Sequence, residues 1–166
     1  MQGTRKRILN KEPIIADYDV NMEGSGDMYY KGGNLIHFVR QLVGDDEKFR
    51  LGLREMNKRW YHRTVDSRDV EAFWSSWSGR NLQPLFDQYL RHTAIPAFEY
   101  RIRGKRLQYR WVDGIMGFDI PVKVILNDQP AQWVKPRASW STFKNKANVT
   151  SVQVDPNFYV RSQEMK

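Results

Sequence analysis

Side chains that commonly act in catalysis or bind metal ions are few in this chain. Its 166 residues include three histidines, His37, His62 and His92, and no cysteine. No two histidines have the i, i+4 spacing with which a helix binds zinc, and the sequence contains no His-Glu-x-x-His, P-loop or Gly-x-Ser-x-Gly motif. The acidic run at residues 45–47 is explained by capping and by the dipole at a helix start. The residues of this chain alone therefore predict no complete catalytic or metal site.

One short segment is distinctive, residues 26–33, which read Gly-Asp-Met-Tyr-Tyr-Lys-Gly-Gly and lead directly into an amphipathic helix. A tyrosine here suits the stabilisation of negative charge on an oxygen, because its phenol is neutral near pH 7 and donates a directional hydrogen bond. We interpret Tyr30, which points elsewhere around the helix than Tyr29, as a packing residue. Lys31 we interpret as a solvated residue in the first helical turn.

Tyr29, Lys31 and Gly32 resemble the Tyr-x-Lys-Gly motif that opens a helix after the zinc site in the aminopeptidase N-type zinc metallopeptidases, a group of gluzincins. The likeness continues in the helix and glycine stop at residues 34–44 (Asn-Leu-Ile-His-Phe-Val-Arg-Gln-Leu-Val-Gly). It extends to residues 85–90 (Leu-Phe-Asp-Gln-Tyr-Leu), 95–100 (Ile-Pro-Ala-Phe-Glu-Tyr) and 154–157 (Val-Asp-Pro-Asn). The resemblance thus covers roughly residues 20 to 160, and it is weaker within the β region.

This resemblance implies that Tyr29 is a catalytic residue whose hydroxyl donates to the oxyanion. In the family, a zinc-bound water attacks the peptide carbonyl and a glutamate acts as general base. The family's His-Glu-x-x-His helix and later glutamate lie before the tyrosine and are not in this sequence. We therefore expect a C-terminal fragment of a zinc metallopeptidase that is inactive alone, with no cofactor in this chain and zinc in the parent protein. The expected partners are the parent's peptide substrate and an upstream zinc-binding domain that packs on the helical region.

The hydrophobic period changes once along the chain, near residue 95. Apolar residues recur at helical spacing from Lys31 to His92 and alternate from Phe98 to Val160. The sequence therefore predicts an α+β fold, a helical subdomain of about four helices followed by a small antiparallel β-sandwich-like domain. The predicted divisions are an irregular segment and loop at 1–30, the helical subdomain of a metallopeptidase catalytic domain at 31–95, and the β domain at 96–166.

Capping residues set the predicted helix ends. Gly44 and Gly79 end the first and third helices, Asp45 or Asp46 begins the second, and Asp66 or Ser67 begins the third. The second helix is expected to bury a stripe of four residues, Phe49, Leu53, Met56 and Trp60.

Alternating residues predict a hairpin, 98–102 with 107–111 around Gly104-Lys105, and a strand at 120–126. Shorter strands are expected around Trp133 and at 140–143, 152–154 and 158–160.

Charge leaves a second class of function open. Lys and Arg number 27 and Asp and Glu 19, which gives a net charge of +8, and there are six tryptophans. Arginines flank the aromatic residues at 100–111, a pattern also typical of nucleic-acid modules. Alternation on a hairpin favours the simpler interpretation that these arginines form the solvated face. A basic β-module that binds nucleic acid and a noncatalytic structural or interaction module therefore remain the alternatives.

Targeting signals give little information. No stretch has the roughly 18 to 20 apolar residues of a membrane span, and no apolar run follows the charges at residues 5–7, so we expect neither a membrane span nor a secretory signal in this chain. The compartment is left open, including an extracytoplasmic parent.

Overall fold

The computed structural model describes residues 2–15, 25–104, 106–143 and 148–165. Residues 16–24 of the predicted irregular segment and loop, and the turn residue Lys105, lie outside the described residues. Within the described part no helix is long and apolar enough to cross a membrane.

A 3-10 helix at Gln2–Arg7 precedes the four predicted helices, which are all present. They are α1 (Asp27–Val43), α2 (Asp46–Arg59), α3 (Ser67–Ser78) and α4 (Gln83–Arg91).

Local capping accounts for where these helices begin and end. The Asp45 side chain accepts the backbone N–H of Lys48, and Asp66 and Asp69 form a reciprocal capping box at α3. Gly44 and Gly79 close α1 and α3 with positive φ angles of 73° and 69°, which glycine adopts without a Cβ clash. The predicted caps are confirmed, but α1 begins at Asp27, so the motif lies inside the helix.

Among the described residues, seven strands follow the helices. They are β1 (Ala97–Arg103), β2 (Arg106–Val112), β3 (Val122–Leu126), β4 (Gln132–Val134), β5 (Ser141–Thr142), β6 (Val152–Val154) and β7 (Arg161–Glu164). They form a four-stranded sheet in the order β5-β2-β1-β7 and a three-stranded sheet in the order β4-β3-β6. The predicted hairpin is confirmed, with Ala97 opposite Val112 and Phe98 opposite Trp111. The α+β fold is likewise confirmed.

The last strand differs from its prediction in place and direction. Residues 158–160 are not a strand; the strand is Arg161–Glu164, which pairs parallel to β1 in an otherwise antiparallel arrangement. Phe158 instead packs edge-on against Phe38 of α1, with ring centroids 5.0 Å apart. The four residues of β7 are all exposed, so no apolar alternation marks this strand in the sequence.

The helices and both sheets contribute to one hydrophobic cluster. Trp111 of β2 donates its indole N–H to the carbonyl of Ile120, just before β3, at 3.0 Å, which links the two sheets. Tyr89 of α4 donates to the carbonyl of Tyr159. The division of the chain into separate domains stays a prediction.

The predicted stripe of α2 is wrong at Leu53, which is 37% exposed. The buried positions are Phe49 and Gly52, and Phe49 stacks on Trp74 of α3. A Cβ on Gly52 would lie 2.7 Å from Trp77 Nε1, and that indole N–H donates to the Lys48 carbonyl at 2.9 Å. Because Gly52 has no side chain, α3 packs closely on α2 at this point.

Replacement of Gly52 by alanine is therefore expected to lower the free energy of unfolding by roughly 1–3 kcal/mol, since the methyl group overpacks the tryptophan contact. The matched control is Gly32→Ala in α1, where an added Cβ meets nothing within 4 Å. That change is expected to raise stability by about 0.5–1 kcal/mol, because alanine favours the helix. Urea denaturation measures the free energy of unfolding of both variants. A Gly52 variant as stable as the Gly32 variant would contradict the packing argument.

Candidate functional site at the start of helix α1

Tyr29, the predicted catalytic residue, lies in the first turn of α1 and is 73% exposed. The hydroxyl has no hydrogen-bond partner among the described residues, so it is free to donate to an incoming oxygen. Its catalytic role stays a prediction.

Tyr30, the neighbouring tyrosine, is partly buried by Arg7. The Arg7 guanidinium donates to the Tyr30 hydroxyl at 2.9 Å and lies 5.4 Å from the ring centroid. These contacts agree with the interpretation of Tyr30 as a packing residue.

Lys31 is not solvated, so its predicted place is wrong. The side chain is fully buried, and Nζ donates to the backbone carbonyl of His92 at 2.7 Å. Because α1 begins at Asp27, Lys31 lies one turn inside the helix and shares its inner face with Leu35 and Phe38. The i, i+4 and i, i+7 spacing to these two apolar residues is the signal in the sequence that could have placed it.

Asp27 is the second buried charge of this turn, 3% exposed and one helical turn before Lys31. Its carboxylate accepts the backbone N–H groups of Leu9 at 2.9 Å and of Asn10 at 2.6 Å. Burial lowers the pKa of Lys31 from its ordinary value of 10.5 to about 8, and the Asp27 carboxylate opposes part of that shift.

The N-terminal strap, residues 2–15, also contacts α1 through Asn34. The Asn34 amide accepts from Arg5 Nε at 3.0 Å and donates to Thr4 Oγ1 at 3.1 Å and to the Tyr30 carbonyl at 2.8 Å. The contacts with Arg5 and Thr4 join residues 29 and 30 positions apart and follow no hydrophobic period, so no sequence pattern predicts them.

The rotation of α1 follows from its buried face. Asp27, Lys31, Asn34 and Phe38 are all buried and are spaced three or four residues apart. Tyr29 is two residues from both Asp27 and Lys31, which corresponds to a rotation of about 200° around the helix axis. The rotation that buries the two charges therefore points Tyr29 outwards.

The three histidines are not brought together. His37 Nε2 lies 3.1 Å from Asn157 Oδ1, His62 contacts the ring of Tyr61, and His92 contributes its carbonyl to Lys31. Among the described residues there is no group of three His, Cys, Asp or Glu side chains that could hold a metal ion. The side chains described here thus do not fit a zinc site.

No protein-family model matches the chain, and no curated protein matches it significantly in sequence. Among solved structures, it is similar to the crystal structure of Legionella pneumophila aminopeptidase A in complex with aspartic acid, with a TM-score of 0.68 and 15% sequence identity. The match covers 86% of this chain and 18% of that chain.

The fold of this chain is therefore similar to that of the matched part of Legionella aminopeptidase A. The match spans less than a fifth of the Legionella protein. At this level of identity the likeness concerns the fold alone, and the closer resemblance to the aminopeptidase N type rests on the sequence motif.

The basic face of the hairpin is the other candidate surface. Arg101 and Arg110 lie over the ring of Trp140, at 4.1 and 4.6 Å from its centroid. Arg110 also pairs with the buried Glu99 carboxylate at 2.5 Å, and Arg101 donates to Gln108 at 2.8 Å. Both guanidinium groups therefore cover an aromatic ring and have polar partners, which favours the solvated-face interpretation.

The buried Lys31 predicts an unusual pH dependence of stability. From about pH 8 to 10.5 the folded chain releases the Lys31 proton while the unfolded chain keeps it. Unfolding then takes up a proton, so this residue makes the chain more stable as the pH rises. Relative to Lys31→Met, wild-type stability is expected to rise by roughly 1.5 kcal/mol between pH 8 and 9.5.

Urea denaturation of wild type, Lys31→Met and the exposed-lysine control Lys58→Met checks this expectation. Burial raises the pKa of Tyr89, Tyr109 and Tyr159 above 10, so these groups titrate above the window and are common to all three proteins. If the free energies of unfolding of wild type and Lys31→Met differed by a constant amount between pH 8 and 9.5, that result would contradict the burial of Lys31.

For the basic face we expect no submicromolar binding of single-stranded or duplex oligonucleotides at about 150 mM salt, where specific sites bind tighter than roughly 10⁻⁷ M. Fluorescence anisotropy measures the affinity. In the matched variant Arg101→Gln/Arg110→Gln, weak nonspecific binding is expected to fall only slightly, because two of the 27 basic residues are removed. Tight binding that weakens steeply with salt and is lost in this variant would favour the nucleic-acid alternative.

Proposed function

We propose that this chain is part of a zinc-dependent metallopeptidase of the aminopeptidase type, in which Tyr29 stabilises the oxyanion formed during peptide hydrolysis. The observation that carries the proposal is the position of Tyr29: an exposed phenol on the first turn of a helix whose opposite side is fixed by buried charges, in an aminopeptidase-like fold.

The zinc site is assigned to the rest of the parent protein. One observation supports this division: the match covers 18% of the Legionella chain. In this proposal an upstream zinc-binding domain packs on the helical region and faces Tyr29. The substrate is a peptide, and the isolated chain is inactive.

The chemistry assigned to Tyr29 is the donation of one hydrogen bond. The hydroxyl faces solvent and can donate a hydrogen bond to an oxygen that gains negative charge when a nucleophile adds to a carbonyl. A preorganised donor of this kind is typically worth about 3–4 kcal/mol of transition-state stabilisation. Tyr30 suits the role less well, because Arg7 covers its ring and donates to its hydroxyl.

Replacement of Tyr29 by phenylalanine in the full-length protein is expected to lower kcat by a factor on the order of 10² to 10³, because only the donor is removed. KM and the zinc content are expected to stay close to wild type. The measurements are steady-state kinetics on an aminoacyl reporter substrate and metal analysis of the dialysed protein. The isolated chain is expected to give no turnover in the same assay.

Tyr30→Phe is the matched control and is expected to change kcat little. A loss of turnover at Tyr30 with tolerance at Tyr29 would show that the motif is assigned one residue out of register. Tolerance at both positions would contradict the proposed role. A full-length protein with neither zinc nor peptidase activity would favour the noncatalytic module instead.

A further inference from the structure

We propose that Lys31 is a positioning residue for Tyr29: its buried ammonium group ties the first turn of α1 to the end of α4 and so fixes where the Tyr29 hydroxyl points. This inference rests on the proposed function for its catalytic consequence, while its structural part concerns the isolated chain.

The local sequence gives the first turn of α1 little intrinsic helix stability. Its N-cap residue, Gly26, makes no side-chain capping hydrogen bond. Gly32 and Gly33 follow the turn directly, and glycine in a helix interior disfavours the helix by about 1 kcal/mol relative to alanine. Without tertiary contacts, the turn that carries Tyr29 is expected to fray.

Lys31 and Asp27 supply those contacts from the two ends of the turn. Lys31 Nζ donates to the carbonyl of His92, the residue that caps the C-terminus of α4, where backbone carbonyls lack intrahelical partners. Asp27 accepts two backbone N–H groups of the N-terminal strap. The turn is therefore held by α4 on one side and by the strap on the other.

Tyr29 lies between Asp27 and Lys31 in sequence, and its side chain points away from both. Its own side chain has no hydrogen-bond partner among the described residues that would hold it in place, so its position depends on the backbone of this turn. An ammonium group is suited to the task because a buried ammonium needs an acceptor and the turn can satisfy it only while it is docked on α4. An apolar side chain of the same length could remain buried without that restriction.

Amide hydrogen exchange in the isolated chain tests the structural part. The N–H groups of residues 31–33 bond to the carbonyls of residues 27–29 within the helix, so their protection reports on the first turn. Lys31→Met is expected to speed their exchange at least about tenfold, while Phe38 and Val39 in the same helix keep their protection. Lys31→Arg, which retains a charged donor, is expected to restore most of the protection.

Lys58 lies on the exposed face of α2, so Lys58→Met is the matched control. It is expected to leave the exchange rates of all these amides unchanged. If Lys31→Met does not fold, Lys31→Gln takes its place with the same expected acceleration, because its amide is too short to reach the His92 carbonyl. Unchanged exchange at residues 31–33 in the folded variant would overturn the proposal. Equal acceleration along the whole of α1 would also overturn it, because Lys31 would then stabilise the fold in general.

A double-mutant cycle in the full-length protein tests the catalytic part. Lys31→Met is expected to lower kcat about tenfold with little change in KM, and to cost less than about twofold when Tyr29 is already phenylalanine. Lys31→Arg is expected to recover most of the lost turnover.

The two hypotheses fail in different ways. If Tyr29→Phe has no effect, the proposed function fails, whatever the exchange experiment shows. If Tyr29→Phe lowers kcat but Lys31→Met has no effect, or has the same effect in both backgrounds, the positioning role fails and the proposed function stands.

Discussion

A buried ammonium group must keep a hydrogen-bond acceptor, and the start of α1 is built around that requirement. Desolvation of an unpaired lysine would cost several kcal/mol, so Lys31 can be fully buried only where the His92 carbonyl and the nearby Asp27 carboxylate compensate it. Meeting that condition fixes the rotation of the helix and the approach of α4. It also explains why the N-terminal strap follows the side of α1 on which Asp27 accepts its backbone N–H groups.

The face of α1 that buries Asp27 and Lys31 also carries Phe38, which belongs to the hydrophobic core. Phe38, two turns after Lys31, contacts Tyr89 of α4 and Phe158 near the end of the chain, and both contacts are edge-on. Tyr89 in turn bonds the carbonyl of Tyr159. The helices are therefore joined to the segment that leads into β7, and an error in the rotation of α1 would disturb aromatic contacts far along the chain.

Local signals in the sequence predicted the elements that depend on a few neighbouring residues. Gly44 and Gly79 end their helices, and Asp66 caps α3, because a positive φ angle or a capping oxygen is a property of one turn. Contacts between distant residues were not predicted. Lys31 was assigned to solvent because its acceptor is 61 positions further along the chain, and Phe158 was assigned to a strand because its partner is on α1. At the candidate site, the motif predicts Tyr29, whose role stays a prediction, and it does not predict the buried contacts of Lys31 and Asp27.

Tyr29 lies on the exposed side of the first turn of α1, opposite Asp27 and Lys31, which make the buried contacts of that turn. Its helix turn carries two buried charged side chains whose hydrogen bonds hold it in place, and one side chain, almost opposite to them, that contributes little to the packing of the described residues. A packed core tolerates extensive apolar substitution if volume and pattern are kept, which is consistent with a similar fold at 15% identity. A buried charge tolerates far less, because each partner must be present with the right geometry. The proposed role of Tyr29 requires a rigid turn that presents its hydroxyl outwards, and this turn has buried polar contacts on its inner face and an exposed phenol on its outer face.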